Sequence, residues 1–341
     1  MKTNKMTHLL IVALITSLIS ATSCDKNAAR NNQERDSNKT QDYSPSPFSA
    51  DSAYKHIERQ VEFGPRVPNT PAHQATSAYI ASQLKDYRLP VITQECTLKA
   101  YDGTELQATN IIATYNPEKE HRIMLFAHWD TRPYADRESS PVLQKQPIPG
   151  ADDGASGPGV LIEIARLLST IGLENIGVDL MFFDAEDYGL PAWDKSHTTS
   201  SEETWALGTQ YWTNNLHTPE YRPLFGILLD MVGGKNARFH REYFSQEAAG
   251  NYVTRIWLTA KELGHDEYFI NKMGGAITDD HYFVIRNLHI PCVDIINYDE
   301  DFASYWHTHN DNLDIISKET LQAVGETVWQ VLLDVDKEQN K

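Results

Sequence analysis

Cysteine is scarce in this 341-residue sequence, with only Cys24, Cys96 and Cys292. Two cysteines as far apart as 96 and 292 are not a disulfide framework, so two buried thiols are expected. Positive charge is also in short supply. The chain has 30 Lys and Arg against 47 Asp and Glu, a formal net charge of -17. That deficit argues against nucleic acid and favours a cationic partner, such as a substrate with a free amine. No apolar run is long enough to span a bilayer comfortably; the best, residues 9–21, is too short. A second polar linker and internal repeats are likewise missing beyond residue 48, so residues 48–338 are read as one domain.

What is present begins with Lys2 and Lys5, the apolar run, and Ala21-Thr22-Ser23 before Cys24. These are the parts of a secretory signal over residues 1–23. The position of Cys24 resembles a bacterial lipoprotein signal, which implies an exported, lipid-anchored and periplasm-facing protein. Ordinary cleavage before an unmodified Cys24 is the competing reading. Residues 24–47 are Asn, Lys, Gln, Arg, Ser and Pro with little to bury, and are expected to be a disordered tether.

Beyond the tether, apolar spacing predicts a helix over 51–61, and Thr70-Pro71 reads as a cap and first-turn proline opening a second. Short apolar runs at 91–98, 110–115, 122–127, 178–183, 225–229 and 291–296 read as strands. Helices are predicted after residue 159, around 205–216, over 246–263 and over 318–335. The alternation implies an α/β fold, a single-domain α/β/α sandwich around a central mixed, largely parallel sheet, with antiparallel pairing at one edge. Ligands in such sheets sit beyond the carboxyl ends of the strands. There the chain places His128-Trp129-Asp130, Asp184-Ala185-Glu186-Asp187 and Asp230, with Thr278-Asp279-Asp280-His281 and Tyr305-Trp306-His307-Thr308-His309 later.

The organising stretch is Gly150-Ala151-Asp152-Asp153-Gly154-Ala155-Ser156-Gly157-Pro158-Gly159, running into a helix. Two aspartates would repel a phosphate, and no Gly-Lys-Ser/Thr follows, so a cation site is the better reading of this turn. Zinc takes imidazole and carboxylate ligands, and Asp153, Asp187 and His307 supply a three-ligand set. His128 and Asp230 are candidates for a second metal with Asp153 bridging, so the residues alone leave the metal count open. Glu186, beside a ligand, is the natural proton carrier.

Gly-Ala-Asp-Asp-Gly-Ala-Ser-Gly, Phe-Phe-Asp-Ala-Glu-Asp, His128-x-Asp130 and His307-Thr308 resemble the zinc aminopeptidase (M28-type) superfamily. Trp306 before His307, Trp193, Asp279-Asp280-His281 and Trp205-Ala206-Leu207-Gly208-Thr209 are similar to its animal-type glutaminyl cyclase branch. The resemblance implies one zinc per chain on Asp153, Asp187 and His307, acid/base work by Glu186, and a carboxylate hydrogen-bond network through Asp230 and Asp279. It further implies cyclisation of N-terminal Gln of peptides or proteins to pyroglutamate with release of ammonia. A monomer is expected, although no residue pattern fixes the oligomeric state. Trp193 and Trp306 are expected to wall a small dry substrate pocket. The chain departs from the animal pattern at Asp187 (Glu there), Asp294 (His there) and Ala127 (Cys there). Asp294 is expected in the pocket region, buried near Asp230 or Asp279 and sharing a proton. The rival readings are a two-zinc M28-type aminopeptidase and a non-catalytic binding module on the same fold.

Overall fold

The computed structural model describes residues 46–195 and 201–340. The signal, Cys24 and nearly all of the tether therefore lie outside the described residues. Ser49 caps helix α1 (Ala50–Glu62), and Thr70 caps α2 (Pro71–Asp86), with Pro71 in its first turn as the sequence predicts. A long hairpin follows, β1 (Val91–Lys99) and β2 (Glu105–Tyr115), then β3 (Arg122–His128). Helix α3 (Ser156–Thr170) starts on the glycine turn and leads to β4 (Gly177–Phe183), α4 (Leu207–Asn214) and β5 (Phe225–Asp230). The remainder is β6 (Phe239–Arg241), α5 (Tyr243–Glu262), β7 (Phe269–Met273), α6 (Asp280–Leu288), β8 (Cys292–Ile296), a hairpin of β9 (Tyr298–Asp299) and β10 (Asp301–Phe302), and α7 (Lys318–Glu338).

Six strands form the central sheet in the order β1-β2-β4-β3-β5-β8. The β1/β2 and β2/β4 pairs are antiparallel; β4/β3, β3/β5 and β5/β8 are parallel. Strand alternation then fills two apolar layers. Ile123, Leu125 and Ala127 of β3 face Ile57, Leu161 and Val328 from α1, α3 and α7, while Met124 and Phe126 face Trp212 of α4 and Val284 of α6. Both sheet faces are covered by helices, the α/β/α sandwich expected. Gly157 lets α3 dock on the end of β5: a Cβ there would sit 2.2 Å from the Leu229 carbonyl oxygen.

The structure extends the sequence reading in three places. Glu242 accepts from the Phe244 and Ser245 N–H groups, so α5 begins before residue 246. Helix α6, capped by Asp279, occupies what reads as a polar cluster and an aromatic run. The parallel pair β6/β7 forms a small sheet of its own. Cys96 is half-buried and Cys292 buried, and both are free thiols.

Packing of α1 against α2 also sets a pH dependence. His56 is buried, with Nδ1 2.7 Å from the Tyr79 hydroxyl. Burial, opposed by Glu163, pulls its pKa from 6.5 down to about 4. Between those values the unfolded chain binds a proton that the folded ring declines. Its contribution to stability is therefore full above pH 6.5 and falls with pH, by about 1.4 kcal/mol per unit, until the folded ring titrates. His56→Gln is expected to lose less stability than the parent between about pH 7 and about pH 4 in urea unfolding. Equal losses would place the proton uptake elsewhere.

Candidate active site

The parallel strands β4, β3 and β5 end side by side, and each delivers acidic or imidazole groups at its carboxyl end. His128 closes β3 opposite Phe183 of β4, Asp184 to Asp187 follow β4, and Asp230 closes β5. The glycine turn before α3 faces the same edge. Gly154 adopts φ +90 there, and a Cβ would meet the Asp130 carbonyl oxygen, so the turn needs glycine. Arg66, buried, ties the turn down by donating to the carbonyls of Trp129, Pro149 and Gly150.

The two adjacent aspartates of the turn part company. Asp152 accepts from the Gly233 N–H and the Tyr305 hydroxyl, which uses it as structure. Asp153 points to the strand ends, where His307 Nε2 is 3.5 Å from its Oδ2 and 3.3 Å from Asp187 Oδ1. Ligands about 2.0–2.1 Å from a tetrahedral zinc lie about 3.4 Å apart, so the two separations from His307 Nε2 fit that ion, and one ligand atom from each of the three residues lies within 4.8 Å of the others. Asp153 Oδ2 and Asp187 Oδ2, both buried, have no hydrogen-bond partner among the described residues. Such orphaned oxygens need a cation or water.

Each of the three is held by its own buried aspartate. Asp311 accepts from the N–H groups of Asp152 (2.7 Å) and Asp153 (3.1 Å). Asp130 accepts from those of Glu186 (3.0 Å) and Asp187 (3.2 Å). Asp136 accepts from His307 Nδ1–H at 3.0 Å and is itself gripped by two Arg132 hydrogen bonds of 2.9 and 2.7 Å. That bond fixes the tautomer which presents Nε2 to a metal. Ala185 (φ +52) and His307 (φ +54) occupy the left-handed region in the two loops so pinned.

A second triad stands beside the first: His128 Nε2 is 3.1 Å from both Asp153 Oδ1 and Asp230 Oδ1. The open cleft above them, about 370 Å³, is lined by Glu186, Asp187, Asp230 and Asp279, by Trp205, Trp306 and Phe302, and by Arg137 and Asp301 at the rim. Burial, opposed by His128, pushes the Glu186 carboxyl well above the usual range. Burial and Asp230 raise Asp279 to about 7, and burial, opposed by His128, raises Asp230 to about 6. A larger polar groove of about 1010 Å³ between α2 and the β1–β2 hairpin contains none of these groups.

Two of the expected pocket residues are elsewhere. Trp193 does not line the cleft; its ring packs edge-on against Tyr134 at 5.4 Å. Its place is taken by Trp205, whose ring lies parallel to His307 at 6.1 Å under the Arg132 guanidinium. Trp205 precedes α4 rather than belonging to it, which frees the ring to turn inward. Trp306 does face the cleft, stacked on Phe302 at 3.9 Å with Arg137 over it. Asp294 is fully buried on β8, behind the cleft floor and not in its lining. Sequence reasoning missed Asp136, Arg132 and Asp311; the run His307-Thr308-His309-Asn310-Asp311 was the available signal for the last of these.

Residues 110–332 match the family described as Peptidase family M28. The fold superposes with a TM-score of 0.81 on a Zn-dependent exopeptidase from Parabacteroides distasonis, 52% identical over 85% of this chain and 99% of that one. Tannerella forsythia glutaminyl cyclase gives 0.81 at 51% identity, covering 84% and 98%. Among relatives by sequence, aminopeptidase YwaD of Bacillus subtilis is 25% identical over 81% of this chain, which spans 55% of that protein's length. The glutaminyl-peptide cyclotransferase of Bothrops jararaca is 23% identical over 79% of this chain and 77% of its own. With the family's residues running from β2 into α7 and the zinc-type ligand set at the strand ends, the chain belongs to peptidase family M28.

Proposed function

We propose that the protein is a zinc-dependent glutaminyl-peptide cyclotransferase holding one zinc. The observation that carries this reading is the set Asp153, Asp187 and His307 under a small aromatic cleft with Glu186 unligated beside it. Identity near 50% to bacterial glutaminyl cyclases supports the same conclusion. The second triad, in which His128 Nε2 is 3.1 Å from Asp153 Oδ1 and Asp230 Oδ1, is where the aminopeptidase reading would place a second ion; in the one-zinc reading the His128 ring proton bridges the two carboxylates instead.

When bound, zinc supplies Lewis acidity toward the side-chain amide oxygen of the N-terminal glutamine. The chain's residues do the rest. In this substrate the attacking α-amine is tethered to the amide carbon it attacks, so orientation replaces a bimolecular encounter. Glu186 takes a proton from the amine as the new C–N bond forms and gives it to the departing amide nitrogen, which leaves as ammonia. Asp230 and Asp279 on the floor orient those nitrogens. Trp205, Trp306 and Phe302 wall the cleft and keep water from competing.

The test pairs zinc analysis with ammonia release from a Gln-initiated peptide. One zinc per chain after dialysis, with ammonia release, is expected. Two retained equivalents with leucine-amide hydrolysis and no ammonia would establish the aminopeptidase reading. Export and a lipid anchor at Cys24 belong to this proposal, supported by the signal-like residues 1–23. Absence of label from radioactive palmitate would remove the anchor.

A further inference from the structure

Four buried polar atoms with no hydrogen-bond partner among the described residues lie together behind the floor of the cleft: His281 Nδ1, both Asp294 oxygens and Asp279 Oδ2. One atom from each of these three residues lies within 4.8 Å of the other two. His281 Nδ1 is 3.5 Å from Asp294 Oδ2. The far side of the ring is committed, with Nε2 3.0 Å from Glu242 Oε2. Glu242 also accepts from the N–H groups of Phe244, Ser245 and Ile277 and from the Ser245 hydroxyl. That hydroxyl in turn accepts from the Asp294 N–H, which ties the head of α5 to β8.

This geometry allows few proton arrangements. With so many donors Glu242 is the ionised partner: burial raises its pKa, and His281 with those donors brings it down to about 2. Its grip on Nε2–H leaves Nδ1 to face Asp294. A neutral ring would use the Asp294 proton, and Asp279 would then have to be the acid, donating its own proton to Asp294 and leaving that part of the cleft floor uncharged. A charged ring donates from Nδ1, and the Asp294 proton is then free for Asp279. The titratable groups facing His281 are Glu242 at the head of α5, Asp294 on β8, and Asp279 and Asp280 at the start of its own helix. Burial lowers the pKa of His281, but Glu242 and its neighbours more than reverse this, and it is raised. Burial and the surrounding Asp279, Glu242, Asp230 and Asp280 hold Asp294 well above the carboxylate range.

We propose that Glu242, His281 and Asp294 form a buried hydrogen-bond relay in which the His281 imidazolium, anchored by Glu242, donates to Asp294, and the Asp294 carboxylic acid donates to Asp279. The relay places the negative charge of the cleft floor on Asp279 and satisfies all four orphaned atoms. His281 and Asp294 are thereby positioning residues, acting on the substrate only through Asp279. The catalytic consequence rests on the cyclase reading; the proton arrangement does not.

The deciding measurement is nitrogen NMR of the zinc-loaded, full-length protein labelled at histidine, with the His281 signals assigned by their loss in His281→Gln. Both ring nitrogens are expected to stay protonated from about pH 6 to about pH 8. A neutral single tautomer over that range overturns the relay. Activity supplies the second arm. Removing the imidazolium in His281→Gln, or the donor in Asp294→Ala, makes Asp279 harder to ionise. The acid limb of kcat/KM should move up by about one pH unit, with zinc content unchanged. Asp294→Asn keeps an N–H for Asp279 and a carbonyl for His281, so it should hold the limb near its original place and retain more activity than Asp294→Ala. Indistinguishable profiles for the Asn and Ala variants overturn the relay, and if a variant fails to fold the wild-type spectrum decides. A wild-type protein that releases no ammonia, with a doubly protonated His281, would sink the cyclase reading and leave the relay intact.

Discussion

Glu186→Gln is expected to keep the zinc and lose turnover by about 100- to 10,000-fold. The side chain faces the cleft but is not one of the three converging ligand residues. Its backbone position comes from the Asp130 carboxylate gripping its N–H, a contact that the amide does not touch. The substitution therefore preserves shape and removes only the ability to take up and return a proton. Burial already raises this carboxyl well above the usual range, which is what a group exchanging protons near neutrality requires. Zinc analysis and ammonia release on the same preparation check it. Near-normal turnover would strip Glu186 of the role.

His307→Ala should lose both metal and activity. His307 is the only nitrogen among the three converging ligands, and its ring is held by Asp136 from behind. Removing the ring deletes one of the three donors and leaves a gap that water fills, while Asp187 keeps Arg132 at 3.7 Å and Asp153 keeps His128 at 3.1 Å. The loss of zinc affinity should exceed the roughly 10- to 100-fold that an outer partner costs. Asp136→Asn supplies that smaller loss for comparison, because the metal-facing atoms survive while the tautomer is no longer enforced. Competition with a chromophoric chelator measures both variants. A His307→Ala protein that binds zinc as tightly as the parent would mean that the ion sits elsewhere.

The layer architecture is readable because its signals are local. The Thr70-Pro71 cap, the apolar run of β3 and the glycine turn before α3 each decide their own conformation within a few residues. The polar groups at the ends of β3, β4 and β5 are legible for the same reason, since each follows directly on an apolar run. Strand order is not local. The insertion of β4 between β2 and β3 follows from which faces can be buried together, and no short window of sequence records it. Helix α6 fails as a sequence reading because its cap, Asp279, is also a candidate site residue, and a nine-residue helix carries too few turns to show its period.

Within the site, the sequence by itself determined the chemical inventory: carboxylates and imidazoles at the strand ends, a turn that only glycine can make, and a proton carrier beside a ligand. Tertiary structure decided the assignments. It gave the reason why Asp153, already singled out in the sequence, and not Asp152 faces the strand ends, by giving Asp152 the Tyr305 hydroxyl and the Gly233 N–H, and it turned Trp205 into the cleft while Trp193 packs on Tyr134. It also moved Asp294 behind the floor, against His281, and gave each zinc-type ligand its own buried aspartate. Periodicity and caps act between near neighbours in the chain. A side chain's hydrogen-bond partner is set by packing between distant segments, and that is where the roles of chemically identical residues diverge.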